Sequence, residues 1–207
     1  MVWVLVFGLL GLRLLWQWFS PYTLIEDEAH YWEWARRLDW SYYSKGPGVA
    51  WVIWASTRVL GDTEFAVRLP AAVATAIGTI AIMKTTRDLL GQQRLTFVSA
   101  VLYNCVPGLG VASMLMTIDA PYIACWAWAS LFALRAIMLG RHRAWIGFGV
   151  CIAIGFLFKY TILMLVPSVL FTLWVMRRHR PKMSLGWFGL GVLVSAIGLI
   201  PVLLWHS

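Results

Sequence analysis

Long runs of apolar residues, separated by short polar segments, dominate the chain. About 20 apolar residues in an α-helix are enough to cross the hydrocarbon core of a bilayer. Runs of this kind predict membrane-spanning helices at 2–19, 65–83, 95–113, 121–139 and 184–205. The apolar range 144–176 is too long for one span and predicts two helices that meet near Lys159. The pattern therefore predicts an all-α polytopic membrane protein with about seven transmembrane helices, in one domain covering residues 1–207.

The first long polar segment and the short apolar stretch after it, residues 20–60, predict a loop on one membrane surface. From Asp27 onward, aromatic and apolar residues alternate with charged ones, which favours a short amphipathic helix lying flat in the interface. Residues 48–60 are apolar but too short to cross a bilayer, so we expect them to lie in the same way. The loop is therefore predicted to contain two juxtamembrane helices.

Composition supports a membrane protein and gives its orientation. Of the 207 residues, 61% are hydrophobic and only 13% are charged, which excludes an ordinary soluble domain. The net charge of +8 could suggest a nucleic-acid partner, but ten of the 17 basic residues fall in three short loops of the predicted topology. Basic residues mark cytoplasmic loops. We therefore predict no nucleic-acid partner, a cytoplasmic N-terminus, and residues 20–60 on the outer face.

The acidic residues follow the opposite distribution. Eight of the nine are predicted on the outer side, at Glu26, Asp27, Glu28, Glu33, Asp39, Asp62, Glu64 and Asp119. Acids contribute little to topology, so membrane insertion does not explain this clustering. Two groups of these acids also have a structural interpretation. The acids of 26–28 suit the start of a helix, and Asp119 suits a helix cap. Both interpretations leave these carboxylates on the outer face.

Three cations are predicted on the same face, at Lys45, Arg68 and Lys159. Their long side chains could reach toward lipid phosphates, or they could bind a phosphate that belongs to a substrate. His30 has no metal-ligand spacing around it and is interpreted as a surface histidine. We assign no metal ligand and no cofactor, and leave a divalent metal ion open.

Five motifs in order, DEAHYW, YYSKGPGVAW, FAVRLPA, TIDAPY and GFLFKYTILMLVP, resemble glycosyltransferases of the C-type fold that use lipid-phosphate-linked sugars. The resemblance is to the aminoarabinose transferase and protein mannosyltransferase-like group, including lipopolysaccharide-core transferases. It implies inverting transfer of a sugar from a polyprenyl-phosphate carrier to lipid A, lipopolysaccharide, another glycolipid or a protein. The transfer is expected at the outer, periplasmic face of the bacterial cytoplasmic membrane, among its lipids. Members are usually more than twice this long, so the chain is expected to be an N-terminal half.

The resemblance also implies roles for individual residues. Asp27 matches an acid expected to be the catalytic base or to orient the acceptor, and catalytic roles extend to its neighbour Glu28 and to Asp119. The donor phosphate is expected to be bound by Lys45, Arg68 and Lys159. The substrate pocket is expected to be lined by His30, Tyr31, Tyr43 and Tyr160.

Two other classes of function remain open from the residues alone. A transporter or channel would need charges at the bilayer midplane or broken helices in paired halves, and Arg13 is the only clear mid-span charge. A non-catalytic assembly subunit would keep its function without the acidic side chains of Asp27 and Asp119. The identity of the sugar and of the acceptor does not follow from the sequence.

Overall fold

Residues 2–43, 45–178 and 183–206 are described by a computed structural model, and every regular element in these ranges is helical. In chain order the α-helices are α1 (Val2–Phe19), α2 (Glu26–Arg36), α3 (Gly48–Leu60), α4 (Glu64–Leu90), α5 (Gln93–Cys105), α6 (Pro107–Ala112), α7 (Asp119–Ile137), α8 (Ala144–Phe158), α9 (Leu165–Val175), α10 (Leu185–Ala196) and α11 (Ile200–His206). Short 3₁₀ turns, Tyr160–Met164 and Ile197–Leu199, precede α9 and α11.

Four helices within the described ranges are long and apolar enough to cross a membrane. They are Val2–Phe19, Glu64–Leu90, Asp119–Ile137 and the composite Leu185–Trp205. The apolar helices Ala144–Phe158 and Tyr160–Val175 are shorter than a full span needs. The predicted number of about seven transmembrane helices is therefore not confirmed, although the apolar segments lie where the pattern predicts them.

Local chemistry accounts for the helix boundaries. The first helix has the predicted bounds, and the predicted break near Lys159 is present because Lys159 is extended, with φ −152° and ψ 120°. The predicted second span is longer than expected, since α4 begins after the capping hydroxyl of Thr63 and ends at Leu90, directly before Gly91. Gly91 has φ 66°, a left-handed conformation that glycine adopts at helix ends.

The predicted third span, 95–113, was wrong as one continuous helix. The chain leaves the helix at Val106, which is extended, and restarts at Pro107. Proline has no N–H for the helical hydrogen bond, and its ring disfavours a helical conformation in the residue before it. The break turns the chain toward the loop that leads into α7.

The longest helix, α4, is the centre of the bundle and packs against α1, α3, α5 and α7. From α7 the packing continues to α8 and then to α10. Buried small residues such as Ala71, Ala74 and Gly78 let α4 approach its neighbours closely, as is usual for helices packed in membranes. The N-terminal ends of α4 and α7 lie at the same end of the bundle as α2 and α3.

A polar network ties α1 to the bundle. The buried Arg13 donates from Nη2 to Oδ1 of Asn104 at 2.8 Å, and Asn104 Nδ2 donates to Thr79 Oγ1 at 3.1 Å. One helical turn later, Gln17 Nε2 donates to the carbonyl of Arg68 at 3.2 Å. Buried polar groups need such partners because hydrocarbon offers none. The mid-span charge of Arg13 thus connects α1 to α5 and, through Asn104, to α4.

The contact between α8 and α10 gives a direct test of this packing. A Cβ added to Gly191 would lie 2.5 Å from the Trp145 carbonyl oxygen, whereas one added to Gly189 meets nothing within 4 Å. Overpacking a close contact costs about 1–3 kcal/mol. We expect Gly191→Val to lower the thermal unfolding midpoint in detergent and Gly189→Val, on the same helix, to leave it nearly unchanged. Equal effects of the two variants would contradict the close approach of α8 and α10.

Candidate active site

The best-buried charged groups described in the chain are Glu28 of α2 and Arg68 of α4, with side chains 0% and 1% exposed. Arg68 Nη2 donates to Glu28 Oε2 at 2.8 Å, and Arg68 Nε donates to Oε1 at 3.0 Å. This two-pronged geometry is the strongest form of a carboxylate–guanidinium pair. It connects residues 40 positions apart in the chain.

Backbone groups complete the surroundings of this pair. Glu28 also accepts hydrogen bonds from the N–H of Ile25 at 3.1 Å and of Met116 at 2.8 Å. Arg68 donates to the carbonyls of Tyr22 at 3.0 Å and Thr23 at 2.8 Å. The contact with Ile25 caps the start of α2, as a glutamate in the first helical turn commonly does. The pair thereby fixes α2, the segment before it and the loop before α7 on α4.

The burial of this pair changes two predicted roles. Catalysis by Glu28 and donor-phosphate binding by Arg68 both require access to substrate, and both side chains are enclosed and hydrogen-bonded to protein. In this arrangement neither side chain is accessible from outside, and both hold the helix on which Asp27 lies.

Asp27 stands beside Glu28 but faces outward. It is exposed, and its side chain makes no hydrogen bond or ion pair with the residues that the structure describes. Four residues later on the same helix, Tyr31 is only 5% exposed and packs in an apolar cluster with Ile118 and Phe158. The start of α7 and the end of α8 meet α2 at this cluster.

Two acids affect the hydroxyl of Tyr31 electrostatically. Burial raises the pKa of its hydroxyl above the usual value, and the negative charges of Asp27 and Asp119 raise it further. A nearby negative charge disfavours the phenolate, and this effect is strong only at short range. Asp27 and Asp119, 92 positions apart in sequence, therefore both contribute to the electrostatic surroundings of one tyrosine.

Asp119, the first residue of α7, pairs with Lys159, which follows α8. Lys159 Nζ lies 3.1 Å from Asp119 Oδ1, and the side chains are 40% and 45% exposed. The ammonium also lies 5.4 Å from the ring centroid of Tyr122. Tyr122 in turn accepts a hydrogen bond from the hydroxyl of Thr161 at 3.1 Å. The pair is accessible and thus differs from the enclosed pair of Glu28 and Arg68.

Lys45 lies in a turn that packs on the end of α8. A Cβ on Gly46 would collide with the backbone of Leu157, so only glycine permits this close approach. Lys45 precedes this contact by one residue, and Lys159 follows it by two. Within the described ranges the partly buried Lys45 side chain has no recorded ion pair. Both predicted phosphate-binding lysines are thus held beside the same backbone contact.

The predicted pocket aromatics differ in their surroundings. His30 is exposed, and its ring lies 4.5 Å from that of Trp34. Tyr160 packs 4.7 Å from Phe156, close to Lys159. Tyr43 is 97% exposed. Tyr31 and Tyr160 therefore lie in packed surroundings beside the charged residues, whereas Tyr43 is at the surface.

Two residues near the candidate site, Trp34 and Tyr122, were not predicted from the sequence. Trp34 stacks on Tyr42 with ring centroids 4.3 Å apart, which packs the turn around Lys45 against α2. Tyr122 lies three residues after Asp119, a helical spacing that could have marked it as a neighbour of that acid. The residues that the structure describes include no group of three or more His, Cys, Asp or Glu side chains placed to bind a metal ion.

Comparison with known structures identifies the class of fold. The chain superimposes on the crystal structure of ArnT from Cupriavidus metallidurans with a TM-score of 0.77 and 19% sequence identity. The match covers 98% of this chain and 40% of that one. The fold is therefore that of an all-α polytopic membrane protein, as predicted.

The sequence matches are more specific. Residues 44–205 match the dolichyl-phosphate-mannose-protein mannosyltransferase family, and the chain belongs to that family. It is 28% identical over 194 residues to the lipid A galacturonosyltransferase RgtD of Rhizobium johnstonii, covering 91% of this chain and 39% of that protein. It is 30% identical over 163 residues to undecaprenyl phosphate-alpha-4-amino-4-deoxy-L-arabinose arabinosyl transferase 2 of Pseudomonas fluorescens, covering 76% and 28%. The chain thus spans well under half the length of these relatives.

The enclosed ion pair leads to a stability prediction. Removing one partner of a buried pair leaves the other charge unpaired and typically costs about 3–5 kcal/mol. We expect Glu28→Ala to lower the unfolding midpoint in detergent strongly. Glu33→Ala removes an exposed acid of the same helix, 3.6 Å from Arg36, and should change stability by less than about 1 kcal/mol. Similar midpoints for the two variants would show that the pair does not hold α2.

Proposed function

We propose that the chain is the catalytic part of a membrane glycosyltransferase that takes its sugar from a polyprenyl-phosphate carrier. The acceptor is a cell-envelope glycolipid, with lipid A or lipopolysaccharide as the first candidate. Support comes from the family and from relatives that are named for lipid A and for an undecaprenyl-phosphate-linked sugar. The reaction takes place at the outer face of the bacterial inner membrane, with the N-terminus of the chain in the cytoplasm.

One observation carries the proposal: an unpaired acid and two lysines converge at one end of the bundle. Asp27 lies on the helix whose Tyr31 packs against Ile118 and Phe158, Asp119 pairs with Lys159, and Lys45 lies beside the end of α8. Transfer of a sugar from a phosphate carrier needs an acid–base group for the incoming nucleophile and cations for the departing phosphate. The convergence supplies both kinds of group.

In the proposed reaction the acceptor oxygen attacks the anomeric carbon from the side opposite the carrier phosphate. The bond from the anomeric carbon to the phosphate oxygen breaks, and the carrier phosphate leaves with the electron pair. Asp27 takes the acceptor proton, or orients the oxygen when the acceptor is already ionised. Asp27 suits this role better than Asp119, because the carboxylate of Asp119 already binds the ammonium of Lys159.

The two lysines bind the departing phosphate. An ammonium has three donors, so Lys159 can hold Asp119 and still contact a phosphate oxygen. Asp119 therefore orients Lys159 in this scheme. Lys45 supplies a second point charge, and Tyr160 together with His30 contributes to the walls of the pocket. Glu28 and Arg68 act indirectly, by keeping α2 in place.

Asp27→Asn tests the catalytic assignment. General-base assistance is typically worth about 10²–10⁴-fold, so transfer of radiolabelled sugar from polyprenyl phosphate should fall by at least about 100-fold. The assay uses membranes that contain the full-length protein, with protein amount and unfolding midpoint measured in parallel. Glu26→Gln, an acid one position earlier on the same helix, is the matched control and should retain activity. Normal turnover by Asp27→Asn would disprove the assignment.

Lys159→Gln tests phosphate binding. A hydrogen bond to a charged group contributes about 1.5–3 kcal/mol, so the KM for the polyprenyl-phosphate donor should rise about tenfold or more. The KM for the acceptor should change little, because the acceptor lies on the opposite side of the anomeric carbon. Lys84→Gln, near the other end of α4, serves as control. A rise confined to the acceptor KM would contradict the donor-phosphate role.

A further inference from the structure

A second pocket lies between α2 and α3, away from the proposed active site. It is a cavity of about 400 Å³ lined by Trp32 and Arg36 of α2, Trp54 and Arg58 of α3, and Asp62 in the connection to α4. Arg36 follows Asp27 by nine residues, which places it about half a turn away around a helix of 3.6 residues per turn. The pocket and Asp27 therefore lie on opposite sides of α2.

Two arginines give the pocket its charge. Arg36 lies over the ring of Trp32 with its Cζ 5.1 Å from the ring centroid, and Arg58 lies over Trp54 at 5.7 Å. Stacking on an aromatic face orients a guanidinium and leaves its N–H edge free to bind a phosphate with two hydrogen bonds. The rings therefore hold both guanidinium groups at the pocket wall.

Neighbouring acids offset the charge of these two arginines only in part. Arg36 approaches Glu33 only to 3.6 Å, and both side chains are more than half exposed. In the part of the chain that the structure describes, Arg58 has no recorded ion pair. The exposed pair with Glu33 contributes little, and Asp62 is the one carboxylate that lines the pocket beside the two guanidinium groups, so an anion can still bind there.

The carboxylate of Asp62 favours a ligand that carries a hydrogen-bond donor as well as a phosphate. One of its carboxylate oxygens accepts a hydrogen bond from Trp32 Nε1 at 3.4 Å. The other oxygen has no recorded partner within the described ranges and would repel a bare phosphate. A phosphate that carries a hydrogen-bond donor a few bonds away satisfies both the arginines and Asp62. Phosphoethanolamine has this combination of one phosphate and one ammonium.

The position of the pocket favours a ligand anchored in a membrane. The helices α2 and α3 are too short to span a bilayer, and tryptophan and arginine at such positions are typical of the membrane–water boundary. Val59 and Leu60, directly after Arg58, are exposed apolar side chains, with Val59 82% exposed. A lipid with its headgroup in the pocket would cover this apolar surface with its acyl chains.

We propose that the pocket binds a membrane lipid whose headgroup joins a phosphate to a hydrogen-bond donor, as in phosphatidylethanolamine. Arg36 and Arg58 hold the phosphate, Asp62 accepts from the ammonium, and the tryptophans form the walls. Binding fastens α2 to the membrane surface on the side opposite Asp27. The proposal depends on this pocket alone and stands whether or not the chain transfers sugar.

Native mass spectrometry of the full-length protein, delipidated in detergent and titrated with phosphatidylethanolamine, tests the proposal. We expect the double variant Arg36→Gln/Arg58→Gln to bind at least tenfold more weakly than the unaltered protein. The control Arg37→Gln/Arg94→Gln removes the same charge from two exposed sites outside the pocket and should bind within twofold of the unaltered protein. Equal affinity of the pocket variant and the control would overturn the proposal.

Two further ligands separate the sources of the phosphate. Phosphatidylcholine has the same phosphate but no N–H donor, so it should bind several-fold more weakly, and Asp62→Asn should remove most of this preference. Inorganic phosphate should fail to displace phosphatidylethanolamine at equal concentration. Displacement by inorganic phosphate would make a soluble anion the ligand and overturn the lipid assignment. Equal binding of the two lipids would overturn the proposed requirement for a hydrogen-bond donor that Asp62 accepts from.

Discussion

The pairing of Glu28 with Arg68 is the interaction on which the candidate site depends. Removing a carboxylate and a guanidinium from water is costly unless nearly all their hydrogen-bonding groups find partners. Here the partners come from α2, α4, the segment before α2 and the loop before α7. One ion pair therefore sets the relative positions of four parts of the chain, including the helix that carries Asp27.

Asp27 and Glu28 are adjacent on one helix but differ in their exposure to solvent. Successive residues of an α-helix point about 100° apart, so the turn that buries Glu28 leaves Asp27 at the surface. The ion pairs Glu28–Arg68 and Asp119–Lys159 differ in exposure in the same way. The enclosed pair has no access to substrate, whereas Asp119 and Lys159 are each about half-exposed. The first pair provides rigidity, and the second can respond to an incoming phosphate.

Most of the helices could be predicted from sequence because their signals are local. The apolar run 2–19 gave the bounds of α1, and Lys159 marked the break between α8 and the turn after it. Pro107 was an equally local signal for the break in the predicted third span, but the strong hydropathy of 95–113 outweighed it. The lengths of α8 and α9 depend on tertiary packing, so the number of membrane-spanning helices did not follow from hydropathy alone.

The site was only partly predictable. Its acids and lysines stood out by charge in an apolar chain, but their partners did not, because Arg68 reaches across 40 residues to Glu28 and Gly46 packs on Leu157 from a distant segment. Such pairings exist only in three dimensions. The same holds for the pocket between α2 and α3, whose arginines look like ordinary surface charges in the sequence.

In the proposed function, the end of the bundle near Lys45 and Lys159 receives the carrier phosphate. Photocrosslinking with a polyprenyl-phosphate analogue that carries its reactive group beside the phosphate can locate this contact. We expect adducts in peptides containing residues 43–48 and 157–161, reduced by excess unmodified carrier. Adducts confined to the opposite end of the bundle, around 83–96 or 138–144, would contradict the proposal.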